Sequence, residues 1–466
     1  MLSFLALLLG GLAFLNLSPT GLSQGAQTLY MPLVHRACEV PPPSNHLALL
    51  AGSYLGGQGA ERLTSVDVAA DGSVLVGGAM PGYVPSGGAP GELLGGGDGI
   101  VLRLDATGQR VLSLTRMGSV VNDLEINQRG ELAVCGDFGV ALLDSQASRV
   151  VWSRAPGNGA RCTIAEDGTV AVLVAGKGYT YDRAGTLLGQ WPIGGNAQSD
   201  IAIDAASQTV IATGYSQKTI NLQVAFLKAW SYTGASRWTS YDFSATAVQA
   251  ENLGADTRGL RVAMGRDGQL YFAGRSDGSN AIYTRDPQAI DRALGSQEWV
   301  RTDRYNDPYN NSATITWYGR YHPGTGELEK GQFLLARLST GRGNTIKPLA
   351  IMADETGRVY LVGDTTLSIE NRDSRQVAGV TVGPYALGEG FLLIVQPDFR
   401  QRLIWTPLAG SEGAGGSPLT GVSTRNGVAA LVGTLTNGTL ITHNAVQPTS
   451  STLPDGYVAV WPRSCN

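Results

Sequence analysis

LTSVDVAADGSVLVGG (63–78), followed by DGIVLRLDATGQRVLSL (98–114), decides how this chain folds. The first segment reads as a strand, a turn at Asp71-Gly72 and a second strand ending in glycine. The second reads as a third strand, a turn from Asp105 to Gly108 and a fourth strand. Val, Ile and Leu fill the strands while Gly and Asp bound them, which is hairpin chemistry. The first half recurs at 121–136, 160–174, 200–214, 258–274, 348–363 and 420–433. The second recurs at 139–153, 178–191, 224–239, 314–332, 390–406 and, truncated, at 455–461. Such units cannot bury themselves alone and must stack on their neighbours.

Stretches such as LVGG and FLLIV are apolar on both faces, where a one-sided sheet would alternate. A four-stranded sheet buried on both sides needs a neighbour on each, and radial packing supplies it. The expected fold is therefore all-β, a β-propeller of seven four-stranded blades. The last unit lacks a fourth strand, whereas LALLAGSYLGG (47–57) is a strand without a unit. That N-terminal strand is expected to complete the last blade and close the ring. Trp152, Trp191, Trp238 and Trp405 all fall in fourth strands, as packing residues.

Charged residues make up 15% of the 466 and the net charge is −4, with no basic stripe, which argues against nucleic acid as a partner. Residues 2–17 form an uncharged apolar run, and Gly21 and Ser23 provide a cleavage signal, so 1–23 reads as a signal peptide. A linker follows at 24–45 with Pro41, Pro42 and Pro43, and the propeller occupies 46–466. The protein is thus expected to be a monomer, secreted or on the cell surface, with no membrane span after cleavage. Four cysteines in an exported chain favour two disulfides. Cys135 and Cys162 stand at neighbouring strand ends, and Cys38 and Cys465 at the two chain ends, which gives the expected pairs.

SYLGGQGAERLTSVDVAADGSVLVGG (53–78) with DGIVLRLDATG resembles the bacterial SBBP-type β-propeller repeat, and THNAVQP (442–448) resembles its Pro-rich segment. The resemblance extends from about residue 47 to 461, strongest in the first and last units. It implies the fold and an extracytoplasmic setting, and brings no catalytic motif.

Most turns are short, but four connections between second and third strands are long, at 79–97, 276–313, 364–389 and 434–454. All would emerge on one face of the disc, and insertions of that length are commonly functional. The richest, 276–313, carries Trp299, Tyr305 and Tyr309 beside Asp303, Asp307 and Asn310, a mixture suited to binding peptides or glycans. Being extra to the repeat, it should be removable without loss of the fold. Asp303, Asn306, Asp307 and Asn310 could offer oxygens to calcium, but their spacing is not that of an EF-hand, and no cofactor or metal is expected. Gly21-Leu22-Ser23-Gln24-Gly25 matches G-x-S-x-G only within the cleavage region, and no other catalytic motif is present. The leading expectation is a binding or scaffold module that engages an extracellular protein or polysaccharide through the long-loop face. The alternatives are a polysaccharide lyase or hydrolase with a site at the top of the channel, and a structural surface component. Ionisable groups converging on the channel would keep the enzyme open; a channel without them would remove it.

Overall fold

The Asp-Gly turns close by one mechanism. The carboxylates of Asp71, Asp167 and Asp267 each accept the backbone N–H two residues on, at 3.0, 2.8 and 3.2 Å. Gly72, Gly168 and Gly268 then take φ of 81°, 91° and 77°, a region that glycine enters without steric cost. The computed structural model describes residues 43–85, 90–308, 313–366 and 369–463. The signal peptide, the linker up to residue 42, Cys38 and Cys465 lie outside the described residues.

The fold is an all-β β-propeller. Its first sheet holds Arg62–Val68, Val74–Ala79, Gly99–Leu104 and Val111–Arg116, with Gly91–Glu92 added at the outer edge. Five four-stranded sheets follow in chain order, with innermost strands Val121–Ile126, Arg161–Ile164, Ala197–Asp204, Thr257–Met264 and Ile346–Ala353. The seventh holds Leu419–Arg425, Val428–Leu435, Asp455–Pro462 and, as its outermost strand, Ala51–Leu55. Ala51 pairs with Val460 and Leu55 with Gly456 in that antiparallel ladder. Each innermost strand contacts the next, and Leu419–Arg425 lies against Arg62–Val68. The second and third strands between them are almost wholly buried, as both-face apolarity requires.

One expectation is corrected. The described residues form eight sheets of three or more strands, not seven. The eighth joins His46–Leu47 to Gln376–Val377 and Val380–Thr381. Its two-residue strands are too short to show periodicity, so no sequence pattern announces them.

Six innermost strands share an irregularity that positions everything at the centre. Their register against the second strand slips by one residue, between Leu63 and Ser65, Val121 and Asp123, Gln198 and Asp200, Gly259 and Arg261, Pro348 and Ala350, and Leu419 and Gly421. These are β-bulges at one equivalent place, and each re-aims the side chain that follows it.

Two of the long insertions reach outer strands. Gly91–Glu92 pairs parallel with Thr115 and Arg116 of the first sheet's outer strand. Trp299 bridges Gly331 on the outer strand of the fifth. Residues 276–313 are also anchored in the core through Tyr283. Tyr283 is fully buried, stacks on Trp317 at 5.7 Å with planes 4° apart, and donates to the Arg258 carbonyl. Tyr283→Ala should therefore cost about 3–5 kcal/mol, the usual loss for a buried aromatic. Deletion of 280–312 should abolish cooperative unfolding, and urea denaturation of both variants checks this. A deletion protein that unfolds like the parent would show the insertion to be dispensable.

Candidate functional site

The residue after each bulge faces a central cavity of about 120 Å³. In the second, fourth and fifth sheets it is Asp123, Asp200 and Arg261, and Arg161 holds the equivalent register in the third, opposite Leu173. Charge thus alternates in sign over four consecutive sheets. Ala350, Gly421 and Ser65 complete the tier with small groups. Two residues further along the strands lies a second tier with Asp67, Glu125, Thr163 and Ser423.

The aspartates are staples between sheets. Asp67 accepts the N–H groups of Val68 and, from the second sheet, Ile126, each at 2.8 Å. It also accepts the Ser423 hydroxyl at 2.5 Å from the seventh sheet, and pairs with Arg266 at 2.9 Å. Asp123 accepts Leu124 N–H within its strand and Cys162 N–H across to the third sheet, at 3.0 and 3.3 Å. Asp200 accepts Ile201 N–H and, from the fifth sheet, Val262 N–H, both at 3.0 Å. Hydrogen bonds to buried carboxylates are the strong kind, and they fix the innermost strand of the first sheet to those of the second and seventh, the second to the third, and the fourth to the fifth.

Arg161 lies between Asp123 at 3.7 Å and Asp200 at 3.9 Å. Arg261 is held by carbonyls, donating from Nε to Leu349 and from Nη1 to Leu260. Burial, and then the like charge of Arg161, bring its guanidinium down to about 10. Burial pushes the Asp123 carboxyl up to about 6, against the pull of Arg161. Burial and then the Asp67 charge push Glu125 up to about 7.

A second cavity, about 650 Å³, opens above the first. The two share Thr64, Arg161, Arg261, Leu349 and Thr420, which form a neck between them. Arg62, Asn122, Thr434, Thr436 and Pro454 line the mouth. Innermost strands begin at this end and second-to-third connections cross it, so the mouth is on the long-loop face.

The candidates named from sequence lie elsewhere. Trp299 packs edge-on to Phe333 at 5.7 Å, and Tyr305 edge-on to Trp405 at 5.4 Å. Asp303 pairs with Arg402, and Asp307 is exposed 3.8 Å from Arg301. The side chain of Asn306 donates to the Phe333 carbonyl. Tyr309 and Asn310 lie outside the described residues. Among the described residues no group of three or more His, Cys, Asp or Glu side chains could hold a metal ion. The Cys135–Cys162 disulfide expected from sequence is not formed, and both are free, buried thiols. They pack as small apolar groups between the second and third sheets, and burial pushes both thiols up, disfavouring the thiolate that oxidation needs.

Sequence reasoning missed the axial charges. Their signal was available: in a chain with few charges, Asp123, Glu125, Arg161, Asp200 and Arg261 interrupt apolar first strands.

No protein-family model and no curated protein matches the chain, so its likeness to the SBBP-type repeat rests on the residues quoted above. Among solved structures it is similar to Kuenenia stuttgartiensis hydrazine synthase, at 12% identity and a TM-score of 0.48, over 86% of this chain and 95% of that one.

The axial carboxyls set a pH dependence. Asp123 and Glu125 move from ordinary values of 3.8 and 4.5 to about 6 and 7, so the folded chain holds their protons more tightly than the unfolded one. Their stabilising contribution is full below about pH 4 and is lost as pH rises through both folded values. Stability should fall by about 4 kcal/mol between about pH 5 and pH 8. Urea midpoints across that range measure it, and Asp123→Asn with Glu125→Gln should flatten the slope. An unchanged slope in the double variant would remove the assignment.

Proposed function

We propose that this chain is an exported binding module that takes its ligand into the axial funnel from the long-loop face. The observation that carries this reading is the funnel itself. Its mouth of about 650 Å³ is within the usual size of ligand pockets and narrows onto two arginines. Ionisable groups do converge on the axis, which is the condition set for an enzyme. However, Asp67, Asp123 and Asp200 accept backbone N–H groups from adjacent sheets, and a carboxylate so occupied is a poor proton shuttle. Binding therefore accounts for the arrangement better than catalysis. The pairing of Ala51–Leu55 with Asp455–Pro462 further supports reading that strand as the clasp of the ring.

A ligand screen on glycan and extracellular-protein panels tests the proposal, comparing the parent with Thr436→Trp, which fills the mouth. Ligands held by the parent should be lost by Thr436→Trp and kept by His322→Ala, whose side chain is in a turn on the opposite face. Ligands that survive the tryptophan would place binding outside the funnel.

A further inference from the structure

The neck has a chemical preference, and this inference rests on the funnel being the binding site. Arg161 and Arg261 line both cavities, whereas Asp123 and Asp200 line only the inner one. A ligand descending from the mouth therefore meets the two guanidiniums before Asp123 and Asp200. Arg161 is charge-balanced by aspartates at 3.7 and 3.9 Å, beyond hydrogen-bond reach, so the pairing leaves its donors to a ligand. Arg261 is fixed by carbonyls, which orient a guanidinium without cancelling its charge. Two like charges side by side in a buried neck cost free energy that an anion between them would recover.

The wall above selects among anions. Thr434 has a buried hydroxyl without a hydrogen-bond partner, Thr436 and Asn122 donate to the Gly416 and Gly159 carbonyls and keep their oxygens to accept sugar hydroxyls, and the exposed Arg62 adds a positive charge. Glu61, the acidic residue in the lining, is fully buried and turned to the N–H groups of Gly57 and Gly59. No aromatic ring and no deep apolar recess lines the mouth among the described residues, so peptide side chains find nothing to fill. A hydroxylated ligand with a carboxylate fits both parts.

We propose that the neck binds the carboxylate of a uronic-acid residue at the end of an acidic polysaccharide chain. Arg161 and Arg261 grip the carboxylate by charge-assisted hydrogen bonds, and the threonines and Asn122 receive the sugar hydroxyls.

Titration calorimetry of the full chain with trigalacturonate and with the neutral galactose trisaccharide tests this. The acidic sugar should bind at least about tenfold more tightly, the low end for a charged hydrogen-bond pair. Arg161→Gln and Arg261→Gln should each weaken it by about tenfold or more, with Arg261→Lys in between. Thermal unfolding of each variant confirms that it is folded, and the comparison of the two sugars on the parent needs no variant. Equal affinity for both sugars, with binding abolished by Thr436→Trp, would overturn the carboxylate preference and leave the funnel standing. Trigalacturonate binding that neither Thr436→Trp nor the arginine variants weaken would overturn both. Tighter, arginine-dependent binding of an acidic peptide such as tri-glutamate would overturn the sugar assignment, and so would no binding of trigalacturonate.

Discussion

The bulge near the start of the innermost strands is the constraint on which the centre of this molecule depends. The bulged residue is a polar stitch in three successive interfaces. Thr420 donates to the Leu63 carbonyl at 2.8 Å, Thr64 to Val121 at 2.7 Å, and Asn122 to Gly159 at 2.9 Å. Each donation crosses from one sheet to the next beside the axis. A single such bond contributes about 0.5–1.5 kcal/mol net, so the sum is modest. Its larger effect is geometric, because the slip that frees the stitch also turns the following residue to the cavity. Without the bulge, Asp123, Asp200 and Arg261 would fall on the other face of their strands.

That geometry concentrates charge where the chain can least tolerate an unpaired one. Only 15% of residues are charged, yet Asp67, Asp123, Glu125, Arg161, Asp200, Arg261 and Arg266 line one small cavity. Such groups persist when every carboxylate has partners, and here the partners are largely backbone N–H groups of the next sheet. Strand order, sheet-to-sheet contact and axial electrostatics are therefore one system. Removing the Asp67 carboxylate would strand Arg266, Ser423 and the Ile126 N–H together, which is why such groups are costly to break singly.

The repeat was legible because apolar runs and Asp-Gly turns are local signals, and they placed the second and third strands of the seven recurring units. The eighth sheet was not, because His46–Leu47 and Gln376–Val377 pair across the whole chain with two residues each. The axial site was half legible. Asp123, Arg161 and Arg261 stand out against apolar neighbours at one common offset before their turn glycines Gly130, Gly168 and Gly268, while the turn that follows Asp200 has no glycine to mark it. What the sequence does not show is that the slipped register turns these side chains to the axis. The aromatics of 276–313 were legible as a group but not in their placement, since composition alone cannot tell an aromatic that binds from one that packs.

The length of the insertions has a structural use as well, at the outer strands. A radial sheet buries its inner strands but leaves its fourth strand with unpaired N–H and C=O groups, a template for unwanted pairing. Gly91–Glu92 covers that edge in the first sheet, and Glu298 to Val300 cover it in the fifth through bonds to both sides of the Gly331 peptide group. Ser44 donates to Leu403 in the sixth. Lengthening a loop adds little closure entropy, so reaching from the top of the second strand to the rim is thermodynamically cheap. Because these segments turn outward, they leave the mouth of the funnel open. Segments of the long loops thus guard the sheet edges, and the innermost strands, at the axis, hold the groups that can recognise a ligand.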